Sequence, residues 1–244
     1  MPNYVKNIVT VSEETMNKIK EKYFKMGILS FEKIIPMPKR LHLIDGYITD
    51  ASIYYTWSKK SEIERKEITK ILKSYKVDFY ANYWEKIKDC KKRGGFSEIE
   101  KFAKNYNPSD IEKELHINSL EELGDAYLEN IKEYGCTTWY EWRIENWGTK
   151  WDVYDDFKSN KTTMTFETAW SIPEPIFEKL SEEFPNEFIE VKFADEDIYS
   201  NNNGKITYID GLPTISNSLG EKFAKEVWNE NIEKEKDIIE EMYD

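Results

Sequence analysis

Cysteine and histidine are scarce in this chain: 244 residues carry two of each. Cys90 and Cys136 lie far apart, and in a reducing compartment they read as small buried apolar residues rather than a disulfide. His42 and His116 each sit beside apolar residues, and no local motif pairs either with a cysteine. There is no Gly-Lys-Ser/Thr phosphate loop, no Gly-x-Gly-x-x-Gly and no Gly-x-Ser-x-Gly. Asp155-Asp156 and Asp195-Glu-Asp197 lack EF-hand spacing and read as solvated turns. The chain is therefore read as not an enzyme, with no cofactor and no metal. An enzyme of unrecognised type would need a pocket gathering His42 or His116 with a cysteine or carboxylates. No apolar run approaches the ~20 residues of a membrane span, and Met1-Pro-Asn-Tyr-Val-Lys has no basic-then-apolar signal pattern, so the expected compartment is the cytoplasm, with no membrane partner.

Aromatic residues and charge, by contrast, are abundant. Aromatics make up 15% of the chain, enough apolar mass to offset the entropy of ordering it. The net charge of −12 is unevenly spread: residues 1–57 carry 8 basic and 6 acidic side chains, residues 58–116 carry 15 and 11, and residues 117–244 carry 12 and 30. A half with net charge −18 repels phosphate backbones, which argues against direct nucleic-acid binding. The same charge either keeps the chain soluble or steers it toward a basic surface, including one that normally holds nucleic acid.

Five of the eight tryptophans (Trp139, Trp142, Trp147, Trp151 and Trp170) fall within 32 residues, where an even scatter would place about one. Such a cluster either anchors a core or builds a recognition surface. Read as strand–loop–strand, with Gly148 as the turn, it would not point all its rings one way. The favoured reading is a seam where an insertion rejoins a β-sandwich, with Arg143 and Lys150 lying on rings. The sharper readings are a stacking pocket for a base or an aromatic anchor for a protein partner. The candidate binding residues are Trp142, Arg143, Trp147, Lys150, Trp151 and Trp170. The basic run Lys86-x-Lys88-x-x-Lys91-Lys-Arg-Gly-Gly95 reads as complementing a helix dipole, with an anion contact as the alternative.

Tyr4–Val11 is β-branched and aromatic, a strand. Ser12 caps a helix with Met16, Ile19, Tyr23 and Met26 on its apolar face, ended by Gly27. Ile28–Ile35 reads as a second strand, broken by Pro36-Met-Pro38. Ser61 with Glu64, Ser97 with Glu100 and Ser119 with Glu122 fit the capping box. Phe79, Tyr80, Tyr83, Trp84 and Ile87 form one apolar stripe. Leu120, Leu123, Tyr127, Leu128, Ile131 and Tyr134 form a cleaner one, closed by Gly135. Strand character returns over Thr162–Trp170, a helix follows over Pro173–Phe184, and Phe188–Phe193 and Ile206–Ile209 are strands. Asn203-Gly204 reads as a type I′ turn between them. Ser218 with Glu221 opens a long acidic helix toward Asp244, with Leu219, Phe223, Val227 and Trp228 on one side. Its glutamates Glu226, Glu230, Glu233, Glu240 and Glu241 are the candidate acidic surface. The element order predicts an α+β fold: a ferredoxin-like (split βαβ) sandwich interrupted by a helical insertion, with a C-terminal helix. Its parts are residues 1–40 and 136–216 for the two halves of the sandwich, 41–135 for the insertion, and 217–244 for the acidic helix.

Met1-Pro-Asn with Asn7-Ile-Val-Thr-Val, Ile35-Pro-Met-Pro38, Asn146-Trp-Gly-Thr-Lys-Trp-Asp152, Thr168-Ala-Trp-Ser-Ile-Pro173 and Leu180-Ser-Glu-Glu-Phe-Pro185 resemble the YubB ferredoxin-like family of phage- and plasmid-borne proteins. The resemblance covers roughly residues 1–40 and 136–210. It implies a ferredoxin-like fold without an iron–sulfur cluster, and two distant cysteines could not supply four thiolate ligands. It carries over no catalytic residues, only the context of an accessory gene of a mobile element. The resulting expectation is a phage or mobile-element protein that binds and inhibits a host protein, such as a nucleic-acid-binding defence effector, through its acidic surface. The alternative is a module that sequesters a small signalling nucleotide by tryptophan stacking.

Overall fold

A computed structural model describes residues 3–75, 82–153 and 156–229, without the side chains of residues 90, 91, 93, 94 and 96. In chain order the elements are β1 (Tyr4–Thr10), α1 (Glu13–Tyr23), β2 (Phe24–Lys25), β3 (Ile28–Leu29), α2 (Phe31–Ile34), a 3-10 turn (Lys39–His42), α3 (Tyr47–Lys59), α4 (Glu62–Ser74), α5 (Tyr83–Lys104), α6 (Asp110–Glu114), α7 (Leu120–Tyr134), α8 (Trp139–Trp147), β4 (Lys158–Ser159), β5 (Thr163–Ala169), α9 (Glu174–Glu183), β6 (Ile189–Asp195), β7 (Asn203–Ile209) and β8 (Leu212–Asn217). A last helix, α10, spans residues 221–229. The chain divides into two units, Met1–Pro36 with Arg143–Asp244, and Met37–Trp142.

In the first unit β1 is central. Its interior residues are all buried, as a strand covered on both faces requires. The sheet order is β4-β5-β1-β6-β7-β8, and every neighbouring pair is antiparallel. β5 and β6 are therefore parallel, joined by α9, and split by β1. β4, antiparallel to β5, runs parallel to β1 with β5 between them. Two interlocked split βαβ units make the ferredoxin-like fold, and β7 and β8 extend it. α9 lies over the face that carries Phe166 and Tyr208, and a chain of rings crosses this core. Trp147 meets Phe31 at 6.0 Å, Phe31 meets Phe166 at 5.9 Å, Phe166 meets Phe177 at 6.3 Å, and Phe177 meets Tyr208 at 6.0 Å. Each such pair adds about 0.5–1.5 kcal/mol beyond area burial. On the opposite face α10 buries Ala224 and Val227 against Ile8 and Ala194. Trp228 Nε1 donates to the Asp195 carbonyl at 2.8 Å, and Lys6 Nζ donates to the Trp228 carbonyl at 3.1 Å.

Several sequence expectations change here. Ile28–Ile35 is not the second strand of the fold; the two-residue β4 holds that place, so the intervening helices lie inside the first βαβ unit. Ile28–Leu29 instead pairs with Phe24–Lys25 across Met26 (φ 54) and Gly27 (φ 84). Both turn residues have positive φ, which is the type I′ signature. Met26 leaves the apolar face of α1 and is 95% exposed. Asp210 (φ 50) and Gly211 (φ 78), not Asn203-Gly204, form the later type I′ turn, joining β7 to β8. Gly204 lies inside β7, where a Cβ would come within 2.6 Å of the Ser216 carbonyl oxygen. Pro213, second residue of β8, falls where its N–H would face the free edge, so its absence blunts edge pairing. Gly220 (φ 90), not Ser218, immediately precedes α10.

The helical unit is built around α3 packed on α5 and α7, with Ile53, Leu72, Tyr83, Ile87, Leu123 and Tyr127 in its core. α3 and α7 touch closely at Gly124, where a Cβ would lie 2.2 Å from Thr56 Oγ1 and 2.4 Å from the Ser52 carbonyl oxygen. The Ser61–Glu64 capping box is formed; Ser119 caps α7 through the Glu122 N–H, while Glu122 itself accepts from Asn118 N at 2.6 Å. Ser97 lies inside α5, past a break at Gly95 (φ 67). A further box, Ser109 with Glu112, starts α6. Phe79 and Tyr80 lie outside the described residues. No helix among the described residues is long and apolar enough to cross a membrane.

Candidate functional site

Within the tryptophan segment Trp139–Trp147 is helical, α8, instead of the first strand of a strand–loop–strand. Residues 139, 142, 143 and 147 recur at the 3.6-residue period and share one side of α8. Trp139 and Trp142 belong to the helical unit; Arg143, Trp147, Lys150, Trp151 and Trp170 belong to the ferredoxin-like unit. Trp142 is buried, and Trp147 is fully buried with Nε1 donating to the Ile35 carbonyl at 2.9 Å. Arg143 lies over the Trp147 ring at 4.6 Å. Burial draws its pKa down, against the pull of Glu32 and Asp152.

The remaining residues of Asn146-Trp-Gly-Thr-Lys-Trp-Asp152 each hold a different neighbour. Gly148 (φ 77) turns the chain where a Cβ would meet the Ile172 carbonyl oxygen and Pro175 Cδ at 3.0 Å. Thr149 Oγ1 donates to the Ala169 carbonyl at 3.0 Å and accepts from Ala169 N at 3.1 Å. Asp152 Oδ1 accepts from Phe31 N at 2.6 Å, and its Oδ2 accepts from Ser30 Oγ at 3.0 Å. Lys150 alone points its charge toward rings, 4.7 Å over Trp151 and 5.3 Å over Trp170. Trp170 is 43% exposed and holds a positive φ of 66, unusual for a bulky residue. Its backbone is pinned by Trp170 N donating to the Asn3 carbonyl at 2.9 Å and Asn202 Nδ2 donating to the Trp170 carbonyl at 3.2 Å. Lys150, Trp151 and Trp170 thus form a cation held between two indoles, the surface part of the motif.

Of the candidate acidic surface, Glu226 is exposed on α10, 4.0 Å from Lys222, and Glu230, Glu233, Glu240 and Glu241 lie outside the described residues. A second acidic row, outside the C-terminal charge run, lies on α9. Glu174, Glu178 and Glu182 repeat every four residues along α9, opposite buried Ile176, Phe177 and Leu180. Partial burial raises the Glu178 pKa, and the Glu174 and Glu182 carboxylates raise it further. Only Glu182 of the three forms an ion pair among the described residues, with Lys179 at 2.9 Å. Their four-residue spacing is readable in the sequence itself.

His42 and His116 are both exposed, and Cys136 is buried. His116 lines an open groove of about 420 Å³ with Glu114, Glu122, Asp125 and Glu129. Those carboxylates are committed elsewhere: Glu114 to Lys39 at 2.6 Å, Asp125 to Lys60 at 2.9 Å, Glu129 to Arg40, and Glu122 to the start of α7. Among the described residues no three His, Cys, Asp or Glu side chains could hold a metal ion. Asp156 is exposed and Asp155 lies outside the described residues; Asp195 organises its own loop through Asn3, Asn202 and the Asp197 N–H. In the basic run Lys86 faces Asp50 at 3.5 Å, Lys88 faces Glu85 at 2.7 Å, and Lys92 faces Asp89 at 2.9 Å. The Lys91 and Arg93 side chains lie outside the description.

Inside the helical unit a separate buried polar cluster forms. Tyr83 Oη donates to Asp50 Oδ1 at 2.8 Å, and Glu141 accepts from Thr137 Oγ1 at 3.2 Å and Thr138 Oγ1 at 3.1 Å. Burial raises the pKa of both Asp50 and Glu141, and the Asp45 carboxylate adds to each shift.

Residues 146–240 match the family described as the ferredoxin-like domain in Api92-like protein. No curated protein matches the chain. Among solved structures, the chain is similar to the protein api92 from Yersinia pseudotuberculosis, with 10% sequence identity over 88% of this chain and 98% of that one, at a TM-score of 0.38. The family match begins at Asn146, within the tryptophan motif, and runs through β4–β8 and α10.

Proposed function

We propose that this chain is a non-enzymatic binding protein of a phage or other mobile element, of the YubB-like kind its motifs resemble, and that it acts in the host cytoplasm. Its target in this reading is a host protein with a basic surface, such as the nucleic-acid groove of a defence effector. One observation carries the reading: the Glu174–Glu178–Glu182 row of α9, which sets three carboxylates on one helix face with a single ion pair among the described residues, Glu182 to Lys179, and in which the two outer carboxylates add to the raised pKa of Glu178. A row of carboxylates about 6 Å apart along a helix presents spaced anions to a basic groove. Association of this type weakens steeply with ionic strength. The test is affinity for the captured host protein across a salt series. Binding that is tight and indifferent to salt would contradict it.

The second reading, sequestration of a small nucleotide by tryptophan stacking, is favoured by one feature, the exposed Trp170 ring beside Lys150. Buried Trp142 and Trp147 cannot contribute a stacking face. A nucleotide panel that leaves the Tm unchanged would remove this reading.

A further inference from the structure

The helical unit holds a groove of opposite character. Lys66, Lys70 and Lys73 share one face of α4, since residues three and four apart are neighbours on a helix. The helix rise sets them about 6 and 4.5 Å apart along the axis. With Glu62, Arg65, Thr69 and Trp57 they line an open groove of about 550 Å³, a size typical of small-molecule sites.

The aromatic wall is rigid. Trp57 Nε1 donates to Thr69 Oγ1 at 3.1 Å, and its ring stacks on Tyr54 at 5.8 Å and meets Trp84 at 5.0 Å. Arg65 lies over the Trp57 ring at 5.2 Å. Its Nε donates to the Trp57 carbonyl at 3.1 Å and its Nη2 to the Ser58 carbonyl, so the guanidinium plane is fixed. Lys66 is paired with Glu62 at 2.8 Å, whereas Lys70 and Lys73 form no ion pair among the described residues. Helix-dipole complementation accounts for a lysine in the last turn of α4. It does not account for a fixed arginine–tryptophan stack facing the same open space.

We propose that this groove binds a phosphate-bearing ligand with a planar ring: a nucleotide, free or as the exposed unit of a single strand. Lys70 and Lys73 would hold its phosphates, and the Arg65–Trp57 stack would carry its base. This goes beyond the acidic-surface reading, because it lies in the other unit and needs no protein partner. The test is calorimetric titration of the full chain with ATP, with an eight-nucleotide oligo-dT and with sodium phosphate, comparing wild type with K70A/K73A. The expected result is saturable binding of ATP or of the oligonucleotide, weakened at least tenfold in the variant, with the Tm of the variant unchanged because both lysines are exposed. Competition between the two ligands separates a free nucleotide from a single strand as the occupant. Saturable binding of neither, equal binding by the variant, or phosphate alone binding as well as ATP would overturn the proposal.

Discussion

Asp152 accepts the Phe31 N–H at 2.6 Å across 121 positions of sequence. That one carboxylate starts α2, so a run of apolar residues that would suit a strand turns into helix. The bond predicts that Asp152→Ala destabilises the ferredoxin-like unit by about 1–2 kcal/mol, as removal of a helix cap does. Asp152→Asn, which keeps an acceptor oxygen, should cost less. Urea unfolding of the two variants checks the order.

Gly124 is a helical glycine that alanine should not improve. On an open helix the change would gain up to about 1 kcal/mol. Here the added Cβ meets Thr56 Oγ1 and the Ser52 carbonyl, so α3 and α7 must part. Overpacking of this kind costs about 1–3 kcal/mol. A lowered midpoint of chemical unfolding for Gly124→Ala is the expected outcome.

The two indoles at either end of the motif should respond differently. Trp147→Ala removes a fully buried ring and should cost about 3–5 kcal/mol. Trp170→Gly removes an exposed ring from a left-handed backbone position that glycine adopts freely, and should change stability by less than about 1 kcal/mol. Thermal melts of both variants make the comparison.

Asp50 and Glu141 carry a pH dependence. Burial raises both native pKa values above the unfolded ones. Between those two values the native state binds more protons than the unfolded chain, so stability falls as pH rises through the window. It is greatest below the ordinary carboxylate range and lowest above the raised native values. Asp50→Asn keeps an acceptor for Tyr83 and abolishes one titration. The stability difference between variant and wild type should therefore shift in the variant's favour as pH rises across the window, measured by denaturation at several pH values.

Much of the fold was legible because local chemistry dictated it. Ser12, Ser61 and Ser119 cap helices from their own sequence neighbourhood, and the alternation of Thr163–Ala169 marks β5. What failed depended on distant partners. Asp152 converts Phe31–Ile34 to helix, and β4 takes a place in the sheet with two residues that carry no strand signal. The tryptophan motif signals a ferredoxin-like domain, yet spacing alone could not sort Trp147, in the core, from Trp170, at the surface. The acidic row on α9 was readable from its four-residue repeat, whereas the fixed Arg65–Trp57 stack required the packing of α3 against α4.

The central claim rests on charge along α9, and neutralising that row tests it most directly. Wild-type chain and the E174Q/E178Q/E182Q variant, matched for Tm, are immobilised and exposed to host lysate at low and high salt, with bound proteins quantified by mass spectrometry. The account predicts a basic host protein that is retained by wild type at low salt, released at high salt, and reduced at least tenfold on the variant. The same protein held equally by both, or held through high salt, would contradict it.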